Sequence, residues 1–234
     1  MADNDESEDV WHPKTELGRK ALKGEVTDIS EVLRGQEKIR EPEVVDQLVP
    51  DLDEEVILIG GTPGKGGGQQ RIVSRRTVRM HKSGRRFNTK SMVVVGDHDG
   101  LIGVAEGSAD DTRDAIDKAR DNAKLNLMEV RRGCGSWECS CGDPHSIPFT
   151  VEGKSGSVEV ELKPAPRGIG RAASEEIRKV MDLAGIDDIW VKSRGNTKSR
   201  ENHIKAVFDA LEQLNELKTG EALEEQVGLV EGGV

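Results

Sequence analysis

The chain has 234 residues, of which a third are charged and 3% aromatic, and its formal net charge is −10. This length allows two small domains, and no stretch approaches the roughly 20 apolar residues that a membrane span needs. The three clustered cysteines argue against a disulfide framework, and the polar, acidic first residues do not resemble a signal peptide, so we expect a cytoplasmic protein.

The charges are unevenly distributed along the chain. Residues 65–90 contain 9 basic and no acidic side chains, whereas residues 1–64 contain 7 basic and 17 acidic ones. Residues 163–205 form a second, weaker basic segment, with 10 basic and 6 acidic side chains. Two basic segments in an acidic chain indicate a nucleic-acid partner despite the low overall pI. The acidic remainder is typical of a protein from a high-salt cytoplasm.

The first half of the chain predicts a small sheet backed by a helix. A short helix is expected between Pro42 and Pro50. Three segments then read as strands joined by tight turns: "QQRIVSRRTVRM", "MVVVGD" and "LIGVAEG". The following helix has one apolar stripe, formed by Ile116, Ala119, Ala123, Leu127 and Val130. We expect helices on one face of this three-stranded meander and arginines on the other.

The second half predicts a β-β-α-β-α unit, so the fold class is α+β with two small domains. A hairpin around Lys154–Gly156 is followed by a helix from Ser174. The strand "DIWVKSRG" comes next, and then a helix whose apolar stripe includes Ile204, Val207 and Leu211. The predicted divisions are an acidic N-terminal extension (1–47), a first domain (48–130), a Cys- and Gly-rich connector (131–146), a second domain (147–218) and an acidic tail (219–234).

The chain resembles a known family over about residues 48–216. "GRRFNTKSMVVVGDHDGLIGVAEG" is similar to the first domain of the universal small-subunit ribosomal protein five, and "GSVEVELKPAPRGIGRAASEEIRKVMDLAGIDDIWVKSRG" to its second. "RRGCGSWECSCGDPHSIPF" resembles the archaeal branch, and the acidic composition favours a haloarchaeal form. The resemblance implies a double-stranded-RNA-binding-like first domain, with a three-stranded sheet and helices, and a β-α-β type second domain.

The resemblance also implies a function. Members of this family are structural constituents of the small ribosomal subunit. They contact rRNA and small-subunit proteins four and eight, and they lie near the messenger entry path, where they influence decoding accuracy. We therefore expect this chain to contribute to subunit assembly and translational accuracy. We expect it on the ribosome, in the cytoplasm.

The basic segments suit phosphate binding, because arginine forks bind phosphate oxygens bidentately and flanking glycines open the backbone. The expected RNA-binding residues are Arg71, Arg75, Arg76, Arg79, Lys82, Arg85, Arg86, Lys90, Arg167, Arg171, Lys192, Arg194, Lys198 and Arg200. For the first segment the alternative is a solvated basic face, which nine basic residues without an acid disfavour. For "KPAPRGIGRAAS" in the second, an ordinary helix-entry loop or a protein contact fits about equally well.

The cysteine cluster allows two interpretations. Three thiolates from Cys134, Cys139 and Cys141 with the imidazole of His145 can complete a tetrahedral zinc site. The spacing, however, lacks paired Cys-x-x-Cys motifs, and a loop of reduced cysteines packed near Trp137 fits equally well. No other cofactor is indicated.

Two other classes of protein fit the sequence less well. An enzyme is disfavoured: "GGTPGKGGG" fails as a phosphate loop, because Ile59 occupies the position of the first glycine and Gly66 that of the Ser or Thr after Lys65. No nucleophile, base and orienting residue can be assembled from the sequence either. A free double-stranded-RNA-binding regulator is compatible with the first domain alone, but the second basic segment argues against it.

Overall fold

The computed structural model describes residues 11–35, 38–64, 69–139, 141–216 and 227–230. The first ten residues of the predicted extension, most of the glycine loop after residue 64 and most of the predicted acidic tail lie outside these ranges. Among the described residues, no helix combines the length and the apolar character that crossing a membrane requires.

The described residues form six helices and eleven strands. The helices are α1 (Glu16–Leu22), α2 (Ile29–Arg34), α3 (Pro42–Leu48), α4 (Thr112–Leu125), α5 (Glu175–Leu183) and α6 (Arg200–Glu216). The strands are β1 (Asp53–Ile57), β2 (Gly60–Pro63), β3 (Gln69–Ile72), β4 (Ser74–His81), β5 (Gly84–Gly96), β6 (Leu101–Ala109), β7 (Leu127–Glu129), β8 (Val151–Ser155), β9 (Val158–Pro164), β10 (Arg171–Ala172) and β11 (Ile189–Arg194). This mixed α+β content confirms the predicted fold class.

The first sheet is built around the long strand β5. It contains β4, β5 and β6 and two short strands, β1 and β7, all antiparallel. The predicted strand "QQRIVSRRTVRM" is divided: its second half forms β4, whereas its first half forms β3, which pairs with β2 in a separate two-stranded sheet. One edge of β5 pairs with β4 from Gly84 to Ser91 and then with β1 from Met92 to Gly96. The other edge pairs with β6 only from Thr89 onward. The β4–β5 hairpin therefore projects beyond the sheet as a two-stranded ribbon.

Both faces of this sheet are buried, because side chains alternate along β5. Val93 and Val95 pack with α4 in one apolar cluster, whereas Met92 and Val94 pack with the second half of the chain in another. The expectation that arginines cover the second face is therefore wrong. Helices α5 and α6 must bury their own apolar residues against another element, and they pack on this face of the sheet. Of the arginines in the first predicted strand, Arg75, Arg76 and Arg79 lie on β4 of the ribbon, and Arg71 lies on β3.

The helices α1, α2 and α3 pack on the α4 side of the first sheet. Their buried residues Leu17, Ile29 and Val44 belong to the same apolar cluster as Val93 of β5. The Glu41 carboxylate accepts hydrogen bonds from the backbone N–H groups of residues 14 and 15, at 2.9 and 2.7 Å, and so ties the start of α1 to α3. The described part of the predicted extension thus shares the core of the first sheet.

The second sheet has the order β10-β11-β9-β8 and carries α5 and α6 on one face. The predicted inward residues of both helices, among them Ile177, Val180, Ile204 and Leu211, are fully buried. Helix α6 approaches β8 closely at Gly153, where an added Cβ would lie 2.0 Å from the Ala206 carbonyl oxygen. The predicted β-β-α-β-α order is confirmed, with the two-residue β10 as an addition.

Candidate nucleic-acid interface and metal centre

The projecting β4–β5 ribbon carries most of the first basic segment. Residues directly opposite each other in an antiparallel pair lie on the same face, so the register assigns each side chain to a face. One face is basic and polar and carries Arg75, Thr77, Arg79, His81, Arg86, Asn88 and Lys90. The other face is mixed: Arg76, Arg85 and Thr89 share it with Val78, Met80 and Phe87, which are 51%, 71% and 40% exposed.

Two cations of the basic face lie opposite each other. Arg79 is the register partner of Arg86, and both are exposed. Like charges in directly opposite positions destabilise a strand pair unless an anion neutralises them. In the described part of the chain, no ion pair joins Arg79, Lys82, Arg85 or Arg86 to a carboxylate; Arg86 contacts only the Ser83 hydroxyl, at 3.4 Å. This end of the ribbon is therefore ready for an external anion.

Arg76 lies on the same face of the ribbon as Phe87. The Arg76 guanidinium carbon lies 3.8 Å from the centre of the Phe87 ring, which is cation–π geometry. Phe87 follows the turn of the hairpin, where an aromatic ring can stack on an unpaired base, and Arg76 covers one side of its ring.

Other predicted RNA-binding residues are held by carboxylates within the protein. Arg71 lies 2.7 Å from Glu176, and Arg75 lies 3.7 Å from Glu201. Lys90 pairs with Glu106 and lies 3.8 Å from Glu201. These contacts fix the base of the ribbon against α5 and α6, so the inner basic residues also have a structural role.

The second basic segment shows the same division. Arg171 donates to the Ile186 carbonyl oxygen at 2.8 Å and pairs with Asp182 and Asp187. Arg200 donates to the Leu58 carbonyl oxygen at 2.5 Å and lies 2.8 Å from Glu176. Both are therefore committed to contacts inside the fold.

The remaining residues of the second segment are more accessible. Arg167 is exposed and pairs with Asp143 at 2.8 Å. Lys192 lies 3.7 Å from Glu161, and Arg194 follows on the same strand. Lys198 lines a groove between the start of α6 and the base of the ribbon, together with Arg75 and Arg76. The structure thus brings parts of the two basic segments to one groove.

The cysteine cluster is compact. The ligand atoms of Cys134, Cys139, Cys141 and His145 all lie within 4.8 Å of one another, and 3.9 Å separates Cys139 Sγ from His145 Nε2. In a tetrahedral zinc site with Zn–S bonds of about 2.3 Å, ligand atoms are about 3.5–4 Å apart. The arrangement is therefore close to the spacing that a bound ion requires.

A buried carboxylate orients the imidazole of this cluster. The Asp188 Oδ2 atom lies 3.0 Å from His145 Nδ1, and both side chains are buried. A hydrogen bond at Nδ1 leaves the lone pair of Nε2 directed at the sulfurs, which is the usual arrangement around a metal-binding histidine. Asp188 was not among the residues predicted from the sequence, because nothing in "GIDDIW" distinguishes it from a surface aspartate.

The thiols of the cluster have different acidities. A hydrogen bond from the Arg167 backbone N–H, with further ones from Cys141, lowers the pKa of the Cys139 thiol to about 6. The Asp143 backbone N–H lowers the pKa of Cys141, but burial and hydrogen bonds with Cys139 and Cys134 outweigh it and raise this pKa to about 11. Cys139 is therefore a readier thiolate ligand than Cys141.

Backbone pairing closes the connector around the cluster. Gly133 N donates to the Ser146 carbonyl oxygen at 2.8 Å, and Gly135 is so close to residue 148 that an added Cβ would lie 1.9 Å from its carbonyl oxygen. Residues 227–230 complete the loop: Cys134 N donates to the Val227 carbonyl oxygen at 2.8 Å, and Val230 forms a two-bond bridge with Arg132. Nothing in the sequence predicts this last contact.

Comparison with protein families matches both halves of the fold. The model of "Ribosomal protein S5, N-terminal domain" matches residues 69–131, and that of "Ribosomal protein S5, C-terminal domain" matches residues 153–225. The chain belongs to the ribosomal protein S5 family. The two matches follow the order of the ribbon-bearing sheet and the second sheet, so the predicted family and its two-domain description are confirmed.

Curated relatives within the S5 family match nearly end to end. The small ribosomal subunit protein uS5 of Haloarcula marismortui is 48% identical over 94% of this chain and 97% of its own length. Those of Nanoarchaeum equitans and Methanocaldococcus jannaschii are 46% and 45% identical, over 96% and 97% of both chains. These relatives confirm the archaeal form of the family and a ribosomal protein rather than an enzyme. A halophilic host remains a prediction, which the Haloarcula relative favours.

Proposed function

We propose that this structural constituent of the small ribosomal subunit holds ribosomal RNA on the basic face of the β4–β5 ribbon. The opposed pair Arg79 and Arg86 is the observation that carries the proposal. Both guanidinium groups are exposed and no described carboxylate pairs with them, so their repulsion is relieved when phosphates bind between them. Lys82, in the turn at the tip, adds to this charge, and Arg85 places a further cation on the opposite face of the ribbon.

The groove at the base of the ribbon supports a continuation of this surface. Arg75, Arg76 and Lys198 line it from two different domains. An RNA strand that leaves the ribbon would meet these cations next. Contacts to phosphates and riboses fit such a surface better than base-specific contacts do, because double-stranded RNA is read mainly by its shape.

The finer position in the subunit is part of the same proposal. Contacts with small-subunit proteins four and eight, a place near the messenger entry path and an influence on decoding accuracy are supported by the resemblance over residues 48–216. Chemical cross-linking of assembled subunits, followed by mass spectrometry, tests these neighbours. Cross-links from this chain to neither protein would remove them from the proposal.

The proposed domain division is 48–130 for the first domain and 147–218 for the second, joined by the connector 131–146. The two sheets and the backbone closure of the connector support it. Because α1, α2 and α3 share the apolar cluster of the first sheet, residues 11–35 and 38–47 belong with that domain in packing although they precede it in sequence.

Sedimentation of native lysate at the host's own salt concentration tests the main proposal. We expect wild-type chain in the small-subunit fraction, and a shift of the Arg79→Ala/Arg86→Ala double variant toward the top of the gradient. A matched pair of exposed lysines away from the ribbon, Lys23→Ala/Lys154→Ala, should sediment as the wild type does. Wild-type chain found mainly at the top would favour a free RNA-binding regulator instead.

We also propose that Cys134, Cys139, Cys141 and His145 bind one zinc ion. The 4.8 Å cluster of donor atoms supports this site, as does the buried Asp188 that orients His145. A bound zinc ion would crosslink the connector and supply folding free energy rather than chemistry.

Metal analysis tests the zinc site. Protein purified without chelator should contain about one equivalent of zinc, and cobalt substitution should give the absorption of a tetrahedral thiolate complex. Cys139→Ser should lose the metal, whereas Trp137→Ala, which changes an exposed side chain of the same loop, should retain it. Less than about a tenth of an equivalent in wild type would favour a loop of reduced cysteines.

A further inference from the structure

The loop of residues 164–170, called here the 164–170 loop, lies beside the cysteine cluster. Two of its residues, Pro164 and Pro166, have no backbone N–H, which leaves five such groups in the loop. Three of these five donate to side chains directly behind the metal cluster, and a fourth, that of Arg167, lowers the pKa of the Cys139 thiol. The loop is thus attached to the cluster through its backbone.

Asp188 accounts for two of these hydrogen bonds. Its Oδ1 atom accepts from the N–H groups of Gly168, at 3.0 Å, and Gly170, at 2.7 Å, while Oδ2 contacts His145 Nδ1 at 3.0 Å. The side chain of Asp188 is only 6% exposed, so one buried carboxylate connects a proposed metal ligand to the loop.

The other two contacts involve Ser146 and Cys139. The N–H of Arg167 acts on the Cys139 thiol and lowers its pKa. The Ser146 hydroxyl accepts from Ala165 N at 3.2 Å and donates to the Asp188 carbonyl oxygen at 2.5 Å. Ser146 follows His145 directly, so both bonds depend on the position of metal-binding residues.

Packing does little to hold the second half of the loop, whereas Ala165 in its first half is fully buried. Gly168 and Gly170 have φ values of 91° and 75°, and a Cβ added at either position would meet nothing within 4 Å. Ile169, between them, is 45% exposed. A loop with open glycine backbone and an exposed apolar side chain keeps one conformation only if its hydrogen bonds hold it.

We propose that a metal ion at the cysteine cluster orders the 164–170 loop, with Asp188 as the positioning residue between them. The proposal rests on the zinc site proposed above. A metal on His145 Nε2 polarises the Nδ1–H bond and strengthens its hydrogen bond to Asp188, which fixes the carboxylate for Gly168 and Gly170. A metal-bound sulfur of Cys139 is likewise a fixed, negatively charged acceptor for Arg167 N–H.

Hydrogen–deuterium exchange of the full chain tests this coupling, with zinc content measured on the same samples. Removing zinc with a chelator should speed exchange in the peptide that covers residues 164–170 by about tenfold or more, without change in the ribbon peptide covering 74–91. Asp188→Asn should bind zinc about 10–100-fold more weakly. When saturated with zinc, this variant should still exchange faster than wild type in the loop.

The outcomes separate the two proposals. A wild-type chain that binds no zinc overturns the metal site and this coupling together. A chain that binds zinc but shows equal loop exchange with and without it overturns the coupling alone. If chelation unfolds more than the loop, exchange in the ribbon peptide also becomes faster. The test is then the zinc-saturated Asp188→Asn variant: if its residues 164–170 exchange as in the wild type, Asp188 does not position the loop.

Discussion

The carboxylate of Glu176 binds the guanidinium of Arg71, with 2.7 Å between Oε1 and Nη1. The same oxygen lies 2.8 Å from Arg200 Nη1, so this buried glutamate at the start of α5 joins β3 to the start of α6. Two arginines expected to bind RNA therefore hold the fold together. Position in a basic segment alone does not separate binding residues from structural ones.

Replacing Glu176 by alanine should lower the free energy of unfolding by about 3 kcal/mol, because it leaves the buried guanidinium of Arg200 without its carboxylate. Chemical denaturation measures this loss. The neighbouring Glu175 provides the control: its side chain is 72% exposed and lies 3.7 Å from Arg71, so Glu175→Ala should change stability by less than about 1 kcal/mol. Equal losses in the two variants would contradict the assigned role.

The Arg79→Ala/Arg86→Ala double variant should bind small-subunit rRNA more weakly and with less dependence on salt. Each lost phosphate contact lowers the slope of log K against log salt by about 0.7–0.9, so the slope should fall by nearly two. Filter binding over a salt series measures both quantities. The Lys23→Ala/Lys154→Ala pair should leave the slope unchanged; an equal fall in this control would place the RNA elsewhere.

Stability should depend on pH through His98. Burial lowers the pKa of His98, but hydrogen bonds to the Asp182 carbonyl oxygen and the Asp53 carboxylate outweigh it and raise this pKa. A raised folded-state pKa means that the contribution is complete below the unfolded value, about 6.5, and is lost as pH rises through the folded value.

The His98→Asn variant isolates this effect. Asparagine tolerates the positive φ of 61° at this position, so the turn should be retained. We expect wild type to exceed the variant in unfolding free energy by more at about pH 5.5 than at about pH 8.5. His203, whose pKa is lowered by burial, is present in both proteins and cancels. A difference that grows with pH would contradict the assignment.

Truncating Ile29 to alanine should lower the unfolding free energy by about 3 kcal/mol, because it opens a cavity in the apolar cluster shared by α2, α4 and the first sheet. Leu22, at the end of α1, is 51% exposed, and Leu22→Ala should cost less than about 1 kcal/mol. Thermal denaturation of both variants measures the difference. A small effect at Ile29 would mean that the N-terminal helices pack independently of the first domain.

Local patterns in the sequence were enough to predict the elements whose burial they encode. The stripe of α4 and the inward residues of α5 and α6 follow a helical period, and the strands around Val93 are continuous apolar runs. In the predicted extension, the sequence shows only short amphipathic patches around "DISEVLRG", where α2 lies. The pattern does not bound α1 or α2, because each is only six or seven residues long and buries two or three residues. Helix α3 is as short, but Pro42 and Pro50 mark its ends.

Long-range contacts explain what the sequence could not show in the candidate site. Cys134, Cys139, Cys141 and His145 are neighbours in sequence, so their grouping was visible. Asp188 reaches His145 from 43 positions away. The pairing of Arg71 with Glu176 likewise spans 105 positions, and only the packed fold brings the two together.

The pairing of residues 132–134 with residues 227–230 means that the cysteine loop is completed late in synthesis. Translation produces the cysteine loop long before the segment that pairs with its backbone. A nascent chain therefore carries an unfinished loop until residue 230 has left the ribosome that makes it. A shortened product lacking this segment would have open backbone groups beside three thiols, which distinguishes it chemically from a finished copy before any subunit incorporates it.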